Sequence, residues 1–419
     1  MNSLQMAEIN LAKVPNIDEL QKEAKEIVKN FRTSATVKDK VEKALDFIDS
    51  KADFELNEEN TAEVDNVIRE FGGLSIKRAG IIRIDGSEAF GINLSPKEWR
   101  ETRKLGLKAL MEETLRDVKR WANALQDNFQ RRWTELNSSL SALDERVVQV
   151  EGLLDTVGHL REGCDKVDYP SKLWTSLSTQ TDRFDENFVP KLIKNFAYLG
   201  TVLKFYEMEE IRYRNSLVKY FGNPTANNLN ALVRLPPKVL DVRVRDPRDT
   251  EGEFVTMKSK PFAGDYALFN RTLNPAWVKN NYKGPEDNST LLEAMLECGF
   301  EFERDRLDYP KNTMNINVLS LNQMFQLVNA AKEVIAVIRR MNDEYNSLDF
   351  DKWTVKDNMD TLKRDSNTAE GKVTAFQALA TDYQYGINNV RSELALYLSV
   401  LASHTLTAVT LNLGCYDAE

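Results

Sequence analysis

Residues that could bind a metal ion or supply a nucleophile are few in this sequence. The chain has two histidines, His159 and His404, and three cysteines, Cys164, Cys298 and Cys415. Zinc and di-iron sites need several such ligands at helical or C-x-x-C spacing, and the chain contains no H-E-x-x-H, E-x-x-H or C-x-x-C pattern. We therefore predict no metal site, and we interpret both histidines as helix-packing or surface residues.

Nucleophilic catalysis and phosphate binding are not supported either. Cys164 would need a nearby base, and His159 lies five residues earlier, an offset that does not align two side chains on one helix face. Cys164 is therefore predicted to be an inert thiol. Walker, dinucleotide-binding and G-x-S-x-G motifs do not occur, and Gly264 in "FAGDYALFN" predicts a turn. We predict no catalytic residue, no cofactor-binding residue and no cofactor.

Two acidic segments could in principle supply acid–base pairs: "RDPRDTEGEF" (245–254) and "EFERDRLDYP" (301–310). Arginine alternates with the carboxylates in both, which is typical of a solvated, salt-bridged surface, and we predict such a surface at each. Basic residues also precede tryptophan twice, a pairing that can stack on nucleic-acid bases, at Lys119-Arg120-Trp121 and Arg131-Arg132-Trp133. We interpret these tryptophans instead as anchors of a helical bundle with the flanking charges facing water.

Composition bounds the class of protein. The 419 residues suffice for two or three compact domains, or for one elongated helical domain with an insertion. The net charge of −9 does not favour a nucleic-acid partner, although a local basic face would be compatible with one. An odd, widely spaced cysteine set fits a reducing cytosol rather than a disulfide framework. Residues 1–15 form a loose leader without the features of a signal peptide.

The elements that must position these residues are mostly helices. Ser95 and Glu98 form a capping box with Pro96 at the first helical position, and they predict a long helix ending near Arg161. Its apolar residues recur in alternating steps of four and three, a heptad seam with two stutters. The seam consists of Leu107, Met111, Leu115, Val118, Ala122, Leu125, Phe129, Trp133, Leu136, Leu140, Leu143, Val147, Val150, Leu154 and Val157.

Shorter helices are predicted before this one and longer helices after it. Three short helices occupy 17–31, 37–50 and 61–71, and a β-hairpin around Asp85-Gly86 follows the Gly72-Gly73 breaker. Amphipathic helices are predicted at 169–222, 320–348 and 371–413, the first kinked or split at Pro190. Between them, "VLDVRVRD", "EFVTMKS" and "DYALFNRTL" predict strands, and "STLLEAMLECGF" (289–300) predicts a short helix.

We therefore predict a mainly α protein: an elongated antiparallel helical bundle or coiled-coil rod with a smaller mixed α/β insertion. The predicted divisions are N-terminal short helices (1–73), a β-hairpin (74–94), the first half of the long-helix bundle (95–222), the insertion (223–316) and the second half of the bundle (317–419).

The segment 394–413, "LALYLSVLASHTLTAVTLNL", has the length of a membrane span and carries no charge when His404 is neutral. It is also rich in hydroxyl and amide side chains, which is unusual for a lipid-facing helix. We predict a helix buried on most sides within a bundle or an assembly and no stable membrane span. The alternative is an α-helical pore-forming or membrane-inserting protein that uses this segment.

The combination of a helical rod, a strand-rich insertion, an acidic composition and no active site resembles the structural proteins packed inside the heads of large tailed bacteriophages. "QMAE" (5–8) and "YDAE" (416–419) are similar to the sites that phage head-maturation proteases cut. The resemblance implies a non-enzymatic structural or scaffolding protein, made in the bacterial cytoplasm and packed into the virion. Its partners would be other protein subunits, either copies of itself or other virion proteins, and it would be oligomeric or assembly-bound. An enzyme hidden in 223–316 is the third interpretation.

Overall fold

The computed structural model describes residues 17–56, 58–71, 95–179, 182–222, 225–232, 239–240, 242–245, 249, 252–281, 294, 297–304, 312–347 and 370–418. These residues are mainly helical, with a few small sheets. The α-helices are α1 (Ile17–Ser50), α2 (Glu58–Phe71), α3 (Pro96–Asp155), α4 (Ser171–Ser176), α5 (Phe188–Gly222), α6 (Ala226–Leu232), α7 (Pro275–Asn281), α8 (Leu321–Ser347) and α9 (Glu370–Leu413).

The strands are β1 (Val157–Leu160), β2 (Lys166–Tyr169), β3 (Val242–Val244), β4 (Phe254–Lys258), β5 (Tyr266–Leu273), β6 (Gly299–Arg304), β7 (Met314–Asn317) and β8 (Tyr416–Ala418). The predicted leader (1–15), the whole predicted hairpin division (74–94) and the "QMAE" segment lie outside the described residues. The chain divides into two compact units. Residues 19–128 form the N-terminal unit, and residues 129–419, with 1–18, form the C-terminal unit.

In the N-terminal unit, α1 and α2 pack on the first part of α3. The shared core contains Val41, Ala44, Ile48, Leu56, Val64, Val67, Ile68, Trp99, Leu107 and Leu110. The prediction of separate helices at 17–31 and 37–50 was wrong, because α1 is continuous from Ile17 to Ser50. The intervening "RTSAT" contains no glycine or proline that would break a helix.

Two arginines of α3 attach the helices of the N-terminal unit to one another. Arg100 donates to the carbonyl oxygen of Ile48 at 2.9 Å and pairs with Asp53 at 2.7 Å. Arg103, which is buried, pairs with Asp65 of α2 at 2.7 Å. A cation at the carboxyl end of α1 satisfies carbonyl groups that the helix itself leaves open.

The capping box at the start of α3 is confirmed. The amide of Ser95 donates to Glu98 Oε2 at 2.9 Å, and the amide of Glu98 donates back to Ser95 Oγ at 3.4 Å. The helix ends at Asp155, so the prediction that it continues to about Arg161 was wrong. Val157–Leu160 instead forms β1, whose backbone groups bond the C-terminal strand β8 and so gain the partners that a longer helix would have given.

The heptad seam is buried from Trp133 through Leu154, as predicted. Its member Leu115 was predicted wrongly, because 45% of that residue is exposed. The predicted helix at 169–222 is divided. Residues 166–169 form β2, α4 is short, and α5 begins at Phe188. Pro190 therefore lies in the first turn of α5, where a missing amide hydrogen costs no helical hydrogen bond.

Four antiparallel strands form the largest sheet, in the order β3-β4-β5-β6. The predicted strands in 223–316 are confirmed as β3, β4 and β5. The short helix predicted for 289–300 was wrong at its end, since Gly299 and Phe300 open β6. Gly264 does mark a turn, with φ of 77° directly before β5. Two further pairs, β2 with β7 and β1 with β8, connect distant parts of the chain.

Ion pairs give the relative direction of the helices in the C-terminal unit. Glu151 of α3 pairs with Lys332 of α8 at 2.8 Å, and Asp144 pairs with Arg339, so α3 and α8 are antiparallel. α8 and α9 are also antiparallel, because the amide of Leu319, just before α8, bonds a side chain near the end of α9. α3 and α9 consequently run in the same direction.

Candidate functional site

The most unusual environment in the C-terminal unit surrounds α9. Residues 391–409 are all buried except Val400, which is half-buried. A surface helix has one polar face, whereas a helix buried all round belongs to a protein core or a membrane span. The segment Val390–Leu413 is long and apolar enough to cross a membrane, but 83% of its most apolar window is covered by this protein itself. The core helices of soluble proteins have the same property.

Four hydroxyl side chains in the described part of α9 donate hydrogen bonds within the helix. Ser399 donates to the carbonyl oxygen of Leu396 at 2.7 Å, and Thr405 donates to that of Leu401 at 2.7 Å. Thr407 and Thr410 bond preceding carbonyls in the same way, both at 2.9 Å. These local bonds remove most of the cost of burying a polar side chain. They explain how a sequence so rich in serine and threonine can occupy a core.

Arg146 of α3 reaches α9 from the side. Its guanidinium donates to the carbonyl oxygen of Ser403 at 3.2 Å, to Ser403 Oγ at 3.1 Å and to Thr407 Oγ1 at 2.7 Å. No carboxylate among the described residues lies within ion-pair distance of it. Burial without a counter-charge lowers the pKa of Arg146 to about 10, because the protein interior disfavours the charged form.

A second arginine of α3, Arg132, makes a similar connection nearer the start of α9. It donates to Ser392 Oγ at 3.0 Å and lies 3.8 Å from Glu393 Oε1, with both charged side chains almost fully buried. The prediction that the charges flanking Trp133 face water is therefore wrong for Arg132, although Arg131 is exposed. A carboxylate on α9 supplies a partner that a sequence reading of α3 alone does not reveal.

The other basic–tryptophan pair, in the N-terminal unit, does face water. Arg120 lies 4.7 Å over the ring of Trp121, and its side chain is 62% exposed. Asp117, one turn earlier, pairs with Arg120 at 3.2 Å.

His404 is buried beside Arg146. Burial, and secondly the positive charge of Arg146, lower its pKa to about 4. Its Nδ1 atom is buried without a hydrogen-bond partner among the described residues. His404 is therefore a neutral core residue at neutral pH, which agrees with the helix-packing interpretation. His159 is exposed on strand β1.

Aromatic rings connect the large sheet to α9. The ring of Tyr397 lies 5.0 Å from that of Tyr266 and 5.2 Å from that of Phe302, measured between centroids. The Tyr397 hydroxyl donates to the carbonyl oxygen of Ala263 at 2.9 Å. Offset aromatic pairs of this kind add about 0.5–1.5 kcal/mol beyond their buried area. The strands of 223–316 thus share a core with the long helices.

Asn412 connects three elements at the end of α9. Its Oδ1 accepts from the amide of Leu319 at 2.8 Å, and its Nδ2 donates to the hydroxyl of Tyr169 at 2.6 Å. All three residues are buried. Burial of the ring, opposed in part by the Asn412 bond, raises the pKa of Tyr169 well above its usual value.

Cys164 and Cys415, which are distant in sequence, lie close together just after the end of α9. The side chains of Cys164 and Cys415 lie near enough to interact, and both residues are partly exposed. Burial, and after it the adjacent Cys164 thiol, raise the pKa of Cys415. Sequence reasoning compared Cys164 only with His159, so it missed this pair. The signal available in the sequence was weak: each cysteine directly follows a glycine, in Gly163-Cys164 and Gly414-Cys415.

In the described part of 301–310 the charged side chains are half-buried, and their partners Arg271 and Tyr266 are buried. Arg271 lies 3.4 Å from Glu301 Oε1, and the Arg304 guanidinium lies 4.8 Å over the Tyr266 ring. Residues 305–311 lie outside the described ranges, as do several residues of 245–254. No group of three or more histidine, cysteine, aspartate or glutamate side chains able to hold a metal ion occurs in the described part of the chain.

Large apolar side chains are exposed along the helices of the C-terminal unit. Val148 of α3 is 68% exposed, and Phe325 of α8 is 42% exposed, with Leu321 one turn before it. Val148 lies on the same face of α3 as Asp144 and Glu151, and Phe325 lies on the same face of α8 as Lys332 and Arg339. These apolar residues therefore line the outer edge where α3 and α8 meet, which we call the α3–α8 edge. The chain matches no protein-family profile, no curated protein and no solved structure.

Proposed function

We propose that this protein is a non-enzymatic structural or scaffolding component of a tailed-phage virion, located in the head interior. It acts through protein–protein contacts of its long helices, which we propose to form an elongated coiled-coil rod in the assembled particle. The observation that carries the proposal is the exposed apolar surface of the α3–α8 edge, formed by Val148, Leu321 and Phe325. Exposed apolar side chains on rigid helices favour a surface that is covered by another protein.

The charges along this edge favour a second copy of the chain as the covering partner. Asp144 and Glu151 form an acidic row on α3, and Lys332 and Arg339 form a basic row on α8 beside it. A copy related by a two-fold axis parallel to α3 and α8 would place the acidic row of one subunit over the basic row of the other, which would make the surface self-complementary.

Sedimentation of the purified full chain tests the self-association. We expect a concentration-dependent dimer or larger species, and we expect Phe325→Asp to weaken association at least about tenfold, because each buried apolar side chain contributes about 1.5–3 kcal/mol. Met208→Asp is the matched control, since Met208 is 71% exposed on α5, away from this edge. A chain that stays monomeric at every concentration would overturn the self-association.

The virion assignment has its own test. Purified phage particles from the native source are analysed by mass spectrometry, and we expect the protein in emptied and in full heads at a constant copy number. Its absence from washed particles, with the protein abundant in the infected cell, would exclude the structural role.

A membrane-inserting protein is the second candidate function. The observation that favours it is the apolar length of Val390–Leu413. Release of this helix would require breaking the hydrogen bonds of Arg146 and Asn412 and exposing the apolar faces of α3 and α8. Dye-loaded anionic liposomes at pH 4 to 7 separate the candidates: leakage supports insertion, and none at any pH supports the structural role.

A further inference from the structure

Cys164 follows strand β1, which comes after α3, and Cys415 lies between α9 and strand β8. β1 pairs with β8 in antiparallel register, with Leu160 opposite Tyr416. The amide of Arg161 donates to the carbonyl oxygen of Cys415 at 2.9 Å, which places Cys415 opposite Arg161. The side chain of Arg161 also pairs with Asp417 at 3.0 Å. The backbone around Cys415 is therefore fixed by bonds on both sides of it.

A tight turn after β1 brings Cys164 back next to Arg161, the residue that bonds Cys415. The amide of Cys164 donates to the carbonyl oxygen of Arg161 at 3.1 Å, and Gly163 between them has φ of 81°. Only glycine adopts this left-handed conformation at little cost, so the turn depends on Gly163. The start of β8 is held in turn by the Tyr416 hydroxyl, which donates to the carbonyl oxygen of Leu319 at 2.9 Å. The backbone that carries the two cysteines is thus held by hydrogen bonds on both segments.

We propose that Cys164 and Cys415 form an oxidation site, in which a low-molecular-weight disulfide converts the two thiols to an intramolecular disulfide that joins β8 to the turn after β1. Three features support it: Arg161 is hydrogen-bonded through its backbone both to Cys415 and to Cys164, β1 and β8 are paired beside them, and both cysteines are partly exposed. Disulfide formation needs this proximity and access to the oxidant. The inference does not depend on the proposed function.

The reaction proceeds by thiol–disulfide exchange. The Cys164 thiolate attacks one sulfur of the small disulfide, which forms a mixed disulfide and releases one small thiolate. The Cys415 thiolate then attacks Cys164 Sγ, which forms the protein disulfide and releases the second small thiol. Two protein thiols are oxidised and one small disulfide is reduced to two thiols. Burial raises the pKa of Cys415, so less of it is thiolate at neutral pH, and its proximity to the mixed disulfide on Cys164 favours the second step.

Oxidised glutathione added to the full chain under native conditions tests the inference. We expect loss of both thiols to a colorimetric thiol reagent and a non-reducing peptide map that joins the peptide of Cys164 to that of Cys415. We also expect amide exchange in β8 to slow and Tm to rise by roughly 5 °C, because a cross-link restricts the unfolded chain. Dithiothreitol should reverse all of these changes.

Matched serine variants make the test decisive. Cys298→Ser should form the same disulfide, whereas Cys164→Ser should show no rise in Tm and should carry glutathione on Cys415 instead. Cys415→Ser gives a second check from the other partner. Separate glutathione adducts on Cys164 and Cys415 in the wild-type chain, with no linked peptide after prolonged oxidation, would overturn the proposal. A linked peptide that includes Cys298 would overturn it as well.

Discussion

Arg146 Nη2 donates a hydrogen bond to Thr407 Oγ1 at 2.7 Å inside the core of the C-terminal unit. The contact connects α3 to the buried helix α9 through a guanidinium whose acceptors are all neutral. Burying an ion in this way is expensive, because its hydration is lost and neutral acceptors replace only part of it. The arrangement therefore affects both the stability and the protonation of its neighbours.

Two replacements of Arg146 distinguish the effect of its charge on stability from the effect of its side-chain volume. We expect Arg146→Met to raise the free energy of unfolding by about 1 kcal/mol, since an apolar side chain of similar length removes the desolvation penalty. Arg146→Ala should lower it by about 3 kcal/mol, because it leaves a cavity. Urea denaturation at pH 7.5 measures both. Equal losses in the two variants would contradict this account of the charge.

The pH dependence of stability follows from His404. Its pKa in the folded protein, about 4, lies below the ordinary histidine value of 6.5, so on acidification the unfolded state takes up the proton first. The contribution of buried, neutral His404 to the free energy of unfolding is complete above pH 6.5 and is lost as the pH falls from 6.5 towards 4. We expect a loss of about 2 kcal/mol between pH 7 and pH 5. His404→Gln should remove this loss, whereas His159→Gln should retain it, when urea denaturation is repeated at each pH.

Asn412 is expected to matter more than its position near a helix end suggests. Asn412→Leu leaves the amide of Leu319 without its acceptor and the hydroxyl of Tyr169 without its donor, both in buried surroundings. We expect a loss of about 3 kcal/mol, the combined cost of two unsatisfied buried groups. The control Asn137→Leu changes an exposed position of α3 and should stay within about 0.5 kcal/mol of the wild type.

The capping box at the start of α3 gives a local prediction. Ser95→Ala removes the acceptor for the Glu98 amide and should cost the N-terminal unit about 1 kcal/mol. Hydrogen exchange should then become faster in the first turn of α3. Ser141→Ala, in the exposed middle of the same helix, should leave that exchange unchanged. Equal protection of the first turn in both variants would argue against a stabilising cap.

The sequence predicted what local patterns determine. The starts of α3, α8 and α9 followed from periodicity and caps, and the strands β3, β4 and β5 followed from short β-branched runs. α8 even begins with a second capping box, Ser320 with Gln323, that periodicity alone located to within a residue. Such signals depend on residues a few positions apart, so the amino-acid sequence alone reveals them.

Features that depend on distant partners were missed. β1 replaced the end of the predicted long helix only because β8, far along the chain, offers it hydrogen bonds. Arg132 is buried because Ser392 and Glu393 lie opposite it on α9. The meeting of Cys164 with Cys415 has the same cause. In each case the deciding partner lies hundreds of residues away, where spacing carries no information.

The central position of α9 has a consequence for biosynthesis. Ribosomes make α3, α5 and α8 before α9, so the three helices emerge while the helix that fills their common interior is still missing. Their apolar faces must remain uncovered, or be shielded by chaperones, until Leu413 has been added. The N-terminal unit has its own core and can form earlier. Translational stalling within codons 370–413 would therefore yield a chain with one finished unit and one that is open to aggregation.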